Sequence, residues 1–147
     1  CWLLMRSLET LKVRMEQQAR NAEHIYEALK DHPKIMRIHY LGALKPGGRY
    51  YEIYQKQYSS AGAMLSLILN GGEKEAFKFL NKLKLIKLAV TLGSTESLAQ
   101  HPATMTHAGV DPEDRAKYGI ADNLVRLSVG VENPEDLVWD IEQALED

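Results

Sequence analysis

Cysteine is nearly absent from this chain. Cys1 is the only one in 147 residues, so no internal disulfide can form and a secreted, cross-linked scaffold is excluded. A reducing compartment, the cytoplasm, is the expected location. Long apolar runs are missing too: stretches such as Ala63-Met64-Leu65 and Leu67-Ile68-Leu69, on either side of Ser66, fall far short of the roughly 20 residues of a membrane-spanning helix. No signal peptide is expected. Excess charge of one sign is absent as well. Eighteen basic against twenty acidic side chains leave a net charge of −2, which provides no field for nucleic acid or an anionic membrane.

Metal and nucleophile motifs are also missing. His101 and His107 stand six apart, and His24, His32 and His39 are dispersed, with no HExxH or HxxxH pairing and no cysteine partners, so no metal site is expected. No serine or threonine lies in a Gly-x-Ser-x-Gly elbow. What remains is an ordinary globular composition, 45% hydrophobic and 26% charged, in a chain long enough for one domain that buries roughly 70% of its unfolded surface. The chain opens Cys1-Trp2-Leu3-Leu4-Met5, with no initiator methionine and already inside an apolar helical pattern, which reads as a truncated start.

From Trp2 to Asp31, the residues Leu4, Leu8, Leu11, Met15, Ala22, Ile25 and Leu29 recur at steps of three and four, interrupted at Gln18. That spacing predicts one long helix, ended by His32-Pro33. Gln18 and Ala22 weaken any coiled-coil seam, so the helix reads as a packed connector over residues 1–31, leading into a domain over 32–147. Lys34 to Tyr40 alternates, with Met36, Ile38 and Tyr40 on one face, as a half-buried strand does. Leu41 to Gly62 reads as a loop around one or two helical turns, and its tyrosines lack the basic track of a single-stranded nucleic-acid platform.

Met64 to Leu69 is a buried strand. Gly71-Gly72 then opens a helix whose Ala76, Phe77, Leu80 and Leu83 share a face. The glycines are followed by Glu73 rather than by Lys-Ser/Thr, which makes them a turn and not a phosphate loop. Lys74, Lys78 and Lys82, spaced i, i+4, i+8, form a solvated helix face. Leu85 to Val90 reads as another buried strand and Thr91 to His107 as an irregular loop. Asp111-Pro112-Glu113-Asp114 and Asn133-Pro134-Glu135-Asp136 each set an N-cap residue, a proline and acids at a helix start, which accounts for both carboxylate pairs. Leu124 to Val131 lies between them as a strand. The class is α+β, with a small, mainly antiparallel sheet covered by helices.

Arg126 is the outstanding candidate. A guanidinium in mid-strand, sharing its face with Ser128 and Gly130 and backed by valines, must be paired or must line a cleft. Its planar fork suits a carboxylate held bidentately. That carboxylate could be the domain's own, such as Glu96, or a ligand's; spacing leaves both open.

Three separated segments carry a resemblance. Leu88-Ala89-Val90-Thr91-Leu92-Gly93-Ser94-Thr95-Glu96-Ser97-Leu98, His101-Pro102-Ala103-Thr104-Met105-Thr106-His107 and Gly119-Ile120-Ala121-Asp122-Asn123-Leu124-Val125-Arg126-Leu127-Ser128-Val129-Gly130-Val131-Glu132 closely resemble the C-terminal domain of the transsulfuration family. These are the pyridoxal-phosphate enzymes of cysteine and methionine metabolism, which have the fold-type I architecture. The opening Trp2-Leu3-Leu4-Met5-Arg6-Ser7-Leu8-Glu9-Thr10-Leu11 is similar to the helix leading from that family's cofactor domain. The resemblance implies that Arg126 holds the substrate α-carboxylate, that Thr91-Leu92 assists it, and that Val90 lines the side-chain pocket. An apolar residue at Val90 suits a thioether, which favours a methionine gamma-lyase-like parent over a cystathionine gamma-synthase, a cystathionine gamma-lyase or a homoserine sulfhydrylase.

The resemblance also implies a tetrameric parent carrying pyridoxal phosphate. The family's Schiff-base lysine, in a Ser-x-Thr-Lys setting, and its other cofactor ligands have no counterpart in this sequence. The chain alone is therefore expected to bind no cofactor, to contain no catalytic residue, and to expose apolar surface made for the missing cofactor domain. A stand-alone, noncatalytic interaction or carboxylate-sensing domain is the competing reading.

Overall fold

The computed structural model describes residues 1–146; Asp147, where the expected domain ends, lies outside them. Two helices open the chain, α1 over Trp2–Leu8 and α2 over Leu11–Leu29. The single long helix predicted here is therefore broken at Glu9-Thr10. The local chemistry explains it: the Arg14 guanidinium donates to the Ser7 carbonyl at 2.9 Å, the acceptor a continuous helix would offer to the Leu11 amide. Arg14 Nε also reaches Thr10 Oγ1 at 3.3 Å, and Thr10 leaves helical geometry at φ −105° and ψ 3°.

Strand β1, Ile35–His39, is followed by a 3-10 turn at Leu41–Ala43 and by α3, Arg49–Gln57. Strict alternation predicts Met36 inside with Ile38 and Tyr40. Instead the register shifts between Ile35 and Arg37, so Ile35 and Tyr40 join the core and Met36 is exposed; a bulge resets which side chains face inward. Next come β2, Met64–Leu69, and α4, Glu73–Lys82. The Glu75 carboxylate accepts from the Gly72 amide at 2.7 Å, which caps α4 and holds that carboxyl below its ordinary range. On α4 it is Phe79, with Ala76 and Leu80, that is buried; Phe77 lies against the His101 ring, centroids 5.0 Å apart.

The predicted buried strand over Leu85 to Val90 shrinks to β3, Lys87–Leu88, with both residues exposed. The Asp140 carboxylate explains the loss. It accepts from the backbone amides of Lys84, Leu85 and Ile86 at 2.8–2.9 Å, and amides held by a carboxylate cannot join a ladder. Conversely, the segment expected to be irregular contains β4, Leu98–Gln100. Helix α5, Pro112–Lys117, strand β5, Leu124–Ser128, and helix α6, Pro134–Leu145, complete the chain. Both late helices start as predicted: Asp111 accepts from the Glu113 amide and Asn133 from the Glu135 amide.

The sheet order is β1-β2-β5-β4-β3, antiparallel except for the β3–β4 pair. One face carries Leu65, Leu67, Leu69, Ala99, Val125 and Leu127, which form the core with Ala22, Ile25 and Leu29 of α2, Ala76, Phe79 and Leu80 of α4, and Leu137, Ile141, Ala144 and Leu145 of α6. Two-residue periodicity turns Arg126 and Ser128 to the other face. No helix among the described residues is long and apolar enough to cross a membrane.

Candidate carboxylate-binding site

Arg126 occupies the middle of the central strand. Its register neighbours are Ser66 on β2 and Gln100 on β4, so the guanidinium rises from a polar row. The Gln100 carboxamide, oriented so that its oxygen faces the arginine donors, accepts from Arg126 Nε at 2.6 Å and from Nη2; the reverse orientation would set donor against donor. Among the described residues no carboxylate pairs with Arg126. Glu96, the internal partner considered from sequence, does not neutralise it. The guanidinium is half-buried and its charge is balanced by none of the described carboxylates.

The 91–97 segment is fastened beside this row. The Gly93 amide donates to Ser128 Oγ at 2.9 Å, two residues from Arg126, and Gly93 has φ +81°, a left-handed conformation that suits glycine. Gln18 Nε2 donates to the Ser94 carbonyl at 2.6 Å. The Glu132 carboxylate takes the Ser97 amide at 2.5 Å and its hydroxyl at 2.9 Å. Ser97 Oγ in turn accepts from the Gly130 amide at 2.8 Å, and Asn21 Nδ2 bridges the Gly130 and Glu132 carbonyls at 3.0 and 2.7 Å. A Cβ at Gly130 would collide with the Thr95 carbonyl oxygen and approach Glu96 C to 2.6 Å; the loop closes onto β5 only because that side chain is absent.

Thr91, Leu92 and Val90 are exposed on this loop. The fold brings their segment to the Ser128 end of the arginine face, while the hydrogen bonds described connect neither Thr91 nor Leu92 directly to Arg126. Sequence reading missed Gln18, Asn21, Ser97, Gln100 and Glu132. Gln18 offered a signal: a polar residue in register with an apolar stripe must find a buried partner, and it finds Ser94 while only 2% exposed.

Other groups are committed to structure. Both ring nitrogens of the fully buried His101 are engaged, one with Thr104 Oγ1 at 2.8 Å and one with the Asp122 carbonyl at 2.7 Å. No group of three His, Cys, Asp or Glu among the described residues is placed to hold a metal. Pyridoxal phosphate needs an amine, an acid for the ring nitrogen and phosphate donors in one enclosure, and the described strands assemble none. Among the described residues, Lys87 is the one lysine within a strand, exposed on the edge strand β3, and no aspartate or glutamate lies in a strand. The large cleft, about 990 Å³, lies elsewhere, between α2 and α3. Tyr26, Tyr40, Tyr51 and Tyr54 line it together with the acids Glu16, Glu23 and Glu27 and the bases Lys12 and Arg20, a mixed rim with no concentrated positive charge.

A further feature is apolar and unpaired in function. Trp2, Leu4, Leu8 and Val13 of α1 and early α2 are exposed; Leu4 and Leu8 belong to the stripe whose later members Ala22, Ile25 and Leu29 are buried.

Comparison with known proteins adds the wider context. The profile describing Cys/Met metabolism PLP-dependent enzymes matches residues 1–146. An L-methionine gamma-lyase of Fusobacterium nucleatum subsp. polymorphum is 48% identical over 145 residues, covering 99% of this chain and 36% of that protein. A cystathionine gamma-lyase of Dictyostelium discoideum is 44% identical over 146 residues, covering 99% of this chain and 37% of that one. The crystal structure of a cystathione gamma lyase from Micromonospora echinospora superposes with a TM-score of 0.91 at 37% identity, over 99% of this chain and 37% of that one. The chain thus spans little more than a third of the length of these relatives.

Proposed function

The chain belongs to the Cys/Met metabolism PLP-dependent enzyme family, and from that premise we propose that it is the C-terminal, substrate-carboxylate-binding domain of a carbon–sulfur lyase. The observation that carries this is Arg126: half-buried, held by the neutral carboxamide of Gln100 and unpaired by any described carboxylate. An amino-acid substrate supplies the missing countercharge through its α-carboxylate, which the guanidinium fork grips bidentately. The 91–93 turn, fixed to Ser128 through the Gly93 amide, presents Thr91 and Leu92 beside that carboxylate, and Val90 forms an apolar wall for the substrate side chain.

We infer that the full-length parent acts on a sulfur amino acid in the manner of a methionine gamma-lyase, breaking the Cγ–S bond with uptake of water to give a thiol, a 2-oxo acid and ammonia. Pyridoxal phosphate and the lysine that holds it belong to the preceding part of that parent; this chain's residues bind and orient the substrate, and alone they do not catalyse. The exposed apolar face of α1 and early α2 meets that preceding part, within a tetramer. Among the family's alternatives, cystathionine-processing enzymes and homoserine sulfhydrylases, Val90 favours a ligand without a distal charge.

The test is Arg126→Lys in the full-length holoenzyme. Ammonium cannot reproduce the fork, so KM for methionine is expected to rise at least tenfold, roughly 1.4 kcal/mol of binding, with a smaller change in kcat. An unchanged KM removes the assignment. If the reading frame extended upstream contains no Ser-x-Thr-Lys, the stand-alone carboxylate-binding domain takes its place.

A further inference from the structure

A guanidinium that is to grip a ligand must be held in orientation while its charge and its binding edge stay free. Arg126 has five N–H donors in a rigid plane. The Gln100 oxygen occupies the side of the fork formed by Nε, at 2.6 Å, and Nη2. That leaves the end of the fork, Nη1 with the second Nη2 hydrogen, available for two parallel bonds to a carboxylate. Gln100 is itself rigidly placed: it is 2% exposed, sits on β4 directly opposite Arg126, and is followed at once by the anchored His101.

We propose that Gln100 is the positioning residue of the carboxylate clamp: its neutral carboxamide oxygen fixes the Arg126 guanidinium plane so that only the end of the fork meets the substrate. This rests on the carboxylate-binding reading of Arg126. A carboxamide adds orientation without adding a countercharge, so the ligand's own carboxylate remains the group that neutralises Arg126. A side chain at Gln100 with no acceptor would leave the guanidinium free to rotate about its last bonds, and each ligand would have to order it on binding.

The experiment uses the full-length holoenzyme and two probes titrated calorimetrically: norleucine, which has no sulfur to eliminate, and pentylamine, its equivalent without the carboxylate. Gln100→Met keeps the volume and removes the acceptor. The expected result is that norleucine binds about tenfold more weakly while pentylamine is unchanged, so the preference for the carboxylate ligand falls by the same factor. Equal weakening of both probes would mean that Gln100 merely supports the fold, and no weakening of either would mean that Arg126 needs no holding; each overturns the proposal. Arg126→Lys serves as the control for the parent reading. If it leaves the preference intact, the carboxylate clamp itself is wrong; if it abolishes the preference and Gln100→Met does not, only the positioning role fails.

Discussion

The two faces of β5 belong to different kinds of structure. Val125 and Leu127 are 0% and 1% exposed beneath α2, α4 and α6, whereas Arg126 and Ser128, their neighbours in sequence, point to a face organised by hydrogen bonds to loop backbone and to Gln100. Burial of apolar area is non-directional and sets stability; the polar face is directional, and its hydrogen bonds fix positions more than they add free energy. The lesson is that one strand carries stability on one side and ligand recognition on the other, so the two properties should respond separately to substitution.

Three outcomes would sharpen or break that separation. The largest effect belongs to the covered face. Leu127→Ala should lower the unfolding free energy by about 3 kcal/mol in urea titration, through lost transfer energy and a cavity, while leaving the norleucine-to-pentylamine preference in the holoenzyme intact; a collapse of that preference would show that the faces are coupled. Next comes an alkaline effect at the same core. Burial, with smaller contributions from Glu23 and Tyr54, pushes the Tyr40 hydroxyl up to about 12. An unfolded tyrosine ionises near 10, so between about pH 10 and 12 the unfolded state holds fewer protons and stability must fall with rising pH, by about 2 kcal/mol. Tyr40→Phe should remove that decline from unfolding curves measured across this range. The smallest effect belongs to the polar face: Arg126→Met should lower the unfolding free energy by about 1 kcal/mol, because it leaves the buried Gln100 carboxamide oxygen without its donor. A loss of several kcal/mol would make Arg126 a structural residue.

Much of this architecture is legible in short-range chemistry. Asp111-Pro112 and Asn133-Pro134 start their helices because capping needs only a side-chain oxygen and an amide two residues on. The Met64–Leu69 and Leu124–Ser128 strands follow from hydrophobic pattern. The misreadings arise where contacts that hydrophobic pattern does not weigh override it. Leu85 to Val90 has the composition of a strand, but Asp140, more than fifty residues away, captures the amides at its start. Leu98–Gln100 has no strand pattern because both of its faces are covered. Arg14, seven residues from Ser7, cuts the opening helix with a side chain that periodicity does not weigh.

The candidate site divides in the same way. Arg126 stands out because a guanidinium in an apolar strand must answer to something, and the motifs around it are continuous in sequence. Gln100, Gln18, Asn21 and Glu132 become part of the site only when β4 is inserted beside β5 and α2 is laid across the 94 and 130–132 backbone.

The late helix starts, the central strand and the arginine that faces away from the core can be read from the residue order alone, because each depends on residues within a turn or two of one another. That no described acid answers Arg126, that a carboxamide holds it, and that the 91–97 loop is fastened to its strand emerge from the folded chain. Those facts depend on pairings across the sheet, and strand order and register are set by the packing of the whole core.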